Sequence, residues 1–178
     1  SDPGAVRQAL GLCVRGVTVI GMEVGGSIGA LTATSFTSLS LTPPLVLFCL
    51  GKGTKAGQTI GQLREFSVNI LSQEQRALSN YFAGSWKGSE PPPFTFTRAE
   101  GEGGPRLDGC VATLGCTVNA VHEGGDHWIV VGQVVTLHRS DLPRAPLVFF
   151  SGRYATLSGG ATSAEEPGLL ISWTEPEQ

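Results

Sequence analysis

Short stretches of β-branched and apolar residues recur along the chain at residues 17–22, 28–34, 45–50 and 66–71, punctuated by glycine and proline. Runs of that length and composition predict strands. Two longer runs of the same texture, 111–122 and 128–138, are separated only by Glu123, Gly124, Gly125, Asp126 and His127. A connection that short, with two glycines, joins antiparallel neighbours, so the pair predicts a long hairpin. Residues 147–150 read as a further apolar strand running into Ser151, Gly152, Arg153 and Tyr154. Residues 169–173 read as a last strand within a tail rich in Gly, Ser and Glu.

Helical spacing is confined to two places. Asp2 before Pro3 fits an N-cap with proline in the first turn, Val6, Leu10 and Val14 fall on one face, and Gly11 or Gly16 ends the segment. Ser72 with Gln75 forms a capping box, and Leu78, Tyr81 and Phe82 follow at helical spacing, which predicts a helix over 73–82. Residues 84–105 hold Pro91, Pro92 and Pro93 and several glycines, the composition of a surface excursion rather than core. About seven strands against two or three helices, without regular alternation, disfavour a parallel doubly wound sheet. They predict a mainly β, antiparallel barrel, closed or nearly so, with a few peripheral helices. At 178 residues the whole chain, 1–178, fits a single domain.

Composition narrows the function classes. A formal net charge of −3 with 15% charged residues is neither a polyelectrolyte nor a basic nucleic-acid surface. Cys13, Cys49, Cys110 and Cys116 and the three histidines show no metal-ligand spacing, so no metal site is expected. Cys13, Cys49 and Cys110 lie in apolar runs and read as small buried hydrophobes and reduced thiols. The longest unbroken apolar stretch, 45–50, falls far short of the ~20 residues of a membrane helix, and no basic-then-apolar leader opens the sequence. Neither membrane nor nucleic acid is expected as a partner, and the chain reads as cytoplasmic.

Three segments carry candidate chemistry. Gly25, Ser27 and Gly29 match the Gly-x-Ser-x-Gly pattern of a hydrolase nucleophile elbow, which needs a strand before it and a helix after it. Threonine and serine crowd the residues that follow, so the glycines predict a hairpin turn without chemistry. Residues 51–57, Gly-Lys-Gly-Thr-Lys-Ala-Gly, match neither the Rossmann nor the P-loop spacing. Lys52, Lys55, the Thr54 hydroxyl and amides between glycines still suit a phosphate, and a solvated turn is the alternative. Between 32 and 44 hydroxyls recur almost every second residue, ending at Pro43 and Pro44. That stretch is either a neutral cradle for a polyhydroxyl, phosphate-bearing ligand or an edge strand stopped by proline.

The run 29–50, with its Ser38-x-Ser40-x-x-Pro43-Pro44 core, resembles the signature of the flavin reductase-like family. Residues 66–72 with Gln75, Phe82 and Ala83 resemble its next block. Gly125-Asp126-His127 with Gly132-Gln133-Val134 resembles its Gly-Asp-His motif, and 146–154 its closing block. Residues 84–105 and the tail after Ser158 depart from the pattern.

The resemblance implies an FMN-binding antiparallel Greek-key split barrel, a homodimer, acting as an NAD(P)H:flavin oxidoreductase that feeds a flavin-dependent monooxygenase. It implies FMN, or FAD, as the flavin and NADH or NADPH as co-substrate. Thr32, Ala33, Thr34 and Ser35 go to the isoalloxazine edge. Ser38, Ser40, Lys52, Thr54 and Lys55 go to the ribityl and phosphate groups, with Cys49 in the same shell. Hydride passes between the two cofactors, so the protein need only align the rings and exclude water. By the same resemblance His127 hydrogen-bonds the nicotinamide carboxamide or guards the flavin face, Asp126 orients its loop, and Arg153 and Tyr154 contribute from the last strand. A flavin-binding electron-transfer or oxidase-type barrel without reductase activity is the alternative.

Overall fold

The computed structural model describes residues 2–98, 101 and 103–157. The strand expected at 169–173 and the rest of the tail lie outside them. Helix α1 (Pro3–Gly11) starts at Asp2, whose Oδ1 accepts from Gly4 N at 3.0 Å. A short strand β1 (Arg15–Gly16) leads to the hairpin of β2 (Thr18–Val24) and β3 (Ser27–Ala33). The turn between them is made by Gly25 and Gly26 at φ of 62° and 80°, a left-handed pair that glycine adopts without strain. The hydrolase-like motif is thus a hairpin turn. Strands β4 (Thr37–Leu41) and β5 (Pro44–Gly51) follow, then helix α2 (Lys55–Gln58) and β6 (Glu65–Ile70). After the turn Gln73–Gln75 and helix α3 (Arg76–Phe82) come short strands β7 (Phe96–Thr97) and β8 (Arg106–Leu107). The chain then forms β9 (Ala112–Gly124), β10 (His127–Arg139), β11 (Val148–Phe150) and β12 (Arg153–Ala155). The capping box is present, Ser72 N donating to Gln75 Oε1 at 2.9 Å.

Seven strands form one antiparallel sheet in the order β3-β2-β6-β9-β10-β5-β4. After β5 the chain crosses to β6, and the β9–β10 hairpin later fills the gap between them, which is the Greek-key step. The two halves of that hairpin have different neighbours: β5 pairs with residues 127–133 of β10, and β6 with 112–117 of β9. Register shifts at Val131/Gly132 and Val134/Thr136 flank Gln133, where those two segments meet. Bulges sharpen twist and bend, so the sheet curls into a split barrel.

Every residue from Thr18 to Met22 is buried because β2 has protein on both faces. Ile20 and Met22 join Phe48, Leu50, Phe66, Val68 and Val130 inside the barrel, where Phe48 and Phe66 meet edge to face at 5.0 Å. Val17 and Val19 join Leu71, Leu78 and Leu107 in a second core under α3.

Two local expectations change, and α1 adds a third observation. The excursion at 84–105 is not only surface: Phe96 packs against the second core, and Phe94 and Phe96 stack with Phe82 at 5.1 and 6.0 Å. Cys13 is exposed rather than buried, whereas Cys110 and Cys116 are buried and Cys49 is half-buried. Among the described residues nothing covers the apolar face of α1, Val6 being 45% and Leu10 56% exposed. It borders an open cavity of about 1060 Å³ with Phe149, Ser151 and Gly152. Among the described residues no helix is long and apolar enough to cross a membrane.

Candidate functional site

The C-terminal end of β5 and the tip of the long hairpin meet. In the β5–β10 ladder Gly51 stands opposite His127 and Leu50 opposite Trp128, and the pairing continues into the loop as Lys52 N donates to Asp126 O at 3.0 Å. The loop then turns sharply. Thr54 Oγ1 donates to Gly51 O at 2.8 Å and accepts from Gly57 N at 3.0 Å, which starts α2. Gly57 sits so close to the turn that a Cβ there would collide with the Gly51 carbonyl. Trp128 Nε1 donates to Gly57 O at 3.0 Å and so ties α2 to the hairpin.

The charged groups of this region are arranged around Trp128. Lys52 Nζ lies 4.6 Å from its ring centroid and 3.1 Å from Glu123 Oε1. His127 Nδ1 is 2.7 Å from Asp126 Oδ1. The hydrogen bond from His127 holds the Asp126 carboxyl below the usual carboxylate range. A carboxylate at Nδ1 favours the tautomer with hydrogen there, which leaves Nε2 as the acceptor facing outward beside Gly51. Lys55 is exposed at the rim of a cleft of about 300 Å³ lined by Met22, Val24, Ala30 and Leu31.

The hydroxyl-rich stretch divides into three parts. Thr32, in β3, turns its hydroxyl to α3, donating to Ser79 O at 2.7 Å, and the buried Ala33 accepts from Thr18 Oγ1 at 2.7 Å. Thr34, Ser35 and Phe36 stand between the β3 and β4 ladders, so strand pairing does not use their main-chain groups. Ser35 Oγ accepts from Cys49 N at 2.9 Å, fastening that link to β5. Ser38 and Ser40 lie in β4, opposite Val46 and Leu45, at the edge of the sheet. The edge-strand reading of this stretch therefore holds for β4, while 34–36 form a polar saddle.

The predicted residues thus fall into two groups joined by Ser35. One comprises Lys52, Thr54, Lys55, Asp126 and His127. The other is built on α3, where Tyr154 O–H donates to Asn80 Oδ1 at 3.0 Å and its oxygen lies 2.7 Å from Ser79 Oγ, beside the Thr32 contact. Arg153 is exposed next to it, opposite Phe150. Cys49 sits two residues before Gly51, a separation of about 7 Å along a strand, so the saddle and the lysine loop are adjacent. Thr32, Thr54 and Tyr154 spend their hydroxyls on the scaffold. The donors left to a ligand are the main chain of 34–36, Ser38, Ser40 and the ammonium groups.

Glu123, Trp128 and Ser79 were not among the residues picked out by pattern. Trp128 follows His127 directly, which is a signal in hindsight. Glu123 and Ser79 carry none, because cross-strand and helix-to-strand partners are set by register.

The donor set fits a flavin nucleotide. Two lysines suit a phosphate, a saddle of amides and carbonyls suits the polar edge of a flavin ring, and a neutral imidazole nitrogen suits an amide N–H.

Comparison with known proteins agrees in extent. The family model for the flavin reductase like domain matches residues 10–158. An NADH-dependent FAD reductase of Streptomyces globisporus is 38% identical over 160 residues, spanning 86% of this chain and 85% of that protein. The reductase subunit HsaB of a flavin-dependent monooxygenase from Mycobacterium tuberculosis is 36% identical over 167 residues, 91% of this chain and 86% of its own. Among solved structures, the Streptomyces globisporus NADH:FAD oxidoreductase SgcE6 in complex with NAD and FAD fragments superposes with a TM-score of 0.80 at 34% identity, covering 90% of this chain and 96% of that one.

Proposed function

The chain belongs to the flavin reductase-like family of oxidoreductases, and from that premise we propose that it uses NADH to reduce an exchangeable flavin, FAD or FMN, for a partner monooxygenase. The observation that carries this reading is the junction of the Lys52 loop with the Asp126–His127 turn at the end of β5. It sets ammonium groups and an imidazole on either side of one strand end.

When bound, the flavin supplies the hydride-accepting chemistry. The chain's own residues bind and orient. Lys52 and Lys55 hold the phosphate, Ser38 and Ser40 the ribityl hydroxyls, and the main chain of Thr34, Ser35 and Phe36 the ring edge. Thr32, Ala33 and Cys49 shape that edge through the scaffold contacts described above. His127 Nε2 accepts from the nicotinamide carboxamide, and Asp126 fixes the tautomer. Arg153 and Tyr154 close the α3 side. NADH rather than NADPH, and FAD beside FMN, are supported by the names of the relatives. The uncovered face of α1 supports a homodimer, which light scattering reporting a monomer at micromolar concentration would refute.

Steady-state oxidation of NADH and NADPH against FMN, FAD and riboflavin tests the reading. NADH consumption that depends on added flavin is expected. Flavin binding without NADH oxidation would instead establish the electron-transfer or oxidase-type alternative.

A further inference from the structure

Glu123 pairs with Lys52 at the margin of the candidate site. It stands opposite Trp128 in the β9–β10 ladder, near the hairpin tip. Among the described residues β9 has no second neighbour there, since β6 pairs with residues 112–117. Its side chain is 74% exposed, yet it meets Lys52 Nζ at 3.1 Å, and Lys52 is 32% exposed. The Lys52 stem is the constrained member: its ammonium lies over the Trp128 ring, and its main-chain N–H is bonded to Asp126. Asp126, the other carboxylate nearby, is engaged by His127. One exposed carboxylate therefore faces one positioned ammonium.

We propose that Glu123 is an internal counter-ion that competes with the flavin phosphate for Lys52, and so sets how readily flavin nucleotides leave. This rests on the reading of Lys52 as a phosphate contact. A phosphate dianion displaces a single exposed carboxylate, because the exposed ion pair it replaces is weak and screened by water. Glu123 then swings into solvent from an edge that nothing crowds. The displaced pair is subtracted from the binding of flavins that carry a phosphate, and riboflavin does not feel it. An enzyme that hands reduced flavin to another protein needs release as much as capture. An internal competitor supplies that release without weakening contacts to the ring.

The test compares FMN and riboflavin dissociation constants, read by flavin fluorescence, in the wild-type protein, Glu123→Gln, Glu123→Lys, Lys52→Ala and the double variant Lys52→Ala/Glu123→Gln. Glu123→Gln is expected to tighten FMN about two- to five-fold, the worth of an exposed ion pair, with riboflavin unchanged. Glu123→Lys should tighten FMN further, and 0.5 M salt should shrink both gains. In the Lys52→Ala background the Glu123→Gln gain should vanish. An unchanged ratio of FMN to riboflavin affinity in Glu123→Gln, or a gain that survives without Lys52, overturns the inference. Lys52→Ala alone separates the two failures: selective loss of FMN upholds the phosphate contact, and no loss removes it.

Discussion

Ser35 Oγ holds both main-chain polar groups of Cys49, accepting from its N–H at 2.9 Å and donating to its carbonyl at 3.3 Å. Strand β4 pairs with β5 only as far as Thr37 opposite Leu47, so this one hydroxyl takes over where the ladder ends. Ser35→Ala leaves two half-buried backbone groups without that partner. It should cost about 1 to 2 kcal/mol, seen as a lower urea midpoint with unchanged slope. An unaltered midpoint would show that water replaces the hydroxyl.

Lys52 and Lys55 offer a phosphate two charge-assisted contacts, but the half-buried Lys52 is already paired with Glu123 and Lys55 is open to solvent. Their joint replacement by Ala should therefore weaken FMN by about tenfold rather than by the full worth of two such bonds. Riboflavin binding should be unaffected. Equal weakening of both flavins would mean that the loop supports the ring instead.

His127 faces outward with Nε2 unengaged by the scaffold, so His127→Ala should spare FMN affinity. It should lower kcat/KM for NADH by roughly 10- to 100-fold, the effect of one or two hydrogen bonds. Stopped-flow reduction at varied NADH would show the loss in binding and alignment. Loss of FMN affinity as well would place the imidazole against the flavin.

Asn69 is buried in β6 and saturates its amide: Nδ2 donates to Val19 O at 3.0 Å and Ser67 Oγ at 2.9 Å, while Oδ1 accepts from Leu107 N and Thr113 Oγ1, each at 2.9 Å. It joins β2, β8 and β9 at one point. Asn69→Leu strands several buried groups and should destabilise the fold by about 3 kcal/mol. Thermal unfolding checks this, and a loss below about 1 kcal/mol would mean that the network relaxes onto other partners.

Burial pushes the Cys110 and Cys116 thiols from an ordinary value near 9 up to about 12. With the folded-state pKa raised, each thiol contributes stability that is full below pH ~9 and is lost as pH climbs toward ~12, at up to about 1.4 kcal/mol per pH unit. Iodoacetamide at pH 8 should modify the exposed Cys13 first and leave Cys110 and Cys116 untouched, as read by peptide mass spectrometry. Early labelling of Cys116 would show that the barrel opens.

The sequence by itself determined the strands near 17–22, 28–34, 45–50, 66–71 and 147–150, the long hairpin, the capping box, the glycine turn at 25–26 and the order of the four blocks, but not the short strands β1, β7, β8 and β12. Each depends on local spacing or on backbone freedom at a single turn. It also placed Lys52 as a candidate, because lysine between glycines is a local signal, while His127 became one through the resemblance of Gly125-Asp126-His127 to the family motif. Only the tertiary structure decided how those candidates are used. Thr54 caps its own helix, Thr32 turns to Ser79, Glu123 answers Lys52, and Trp128 ties the hairpin to Gly57. It decided as well that Phe96 is drawn into the second core, and that Cys13 and α1 stay uncovered. These outcomes rest on which strands become neighbours and on the two bulges that bend β9 and β10. A cross-strand partner is chosen by long-range register, and residues close in sequence carry no record of it.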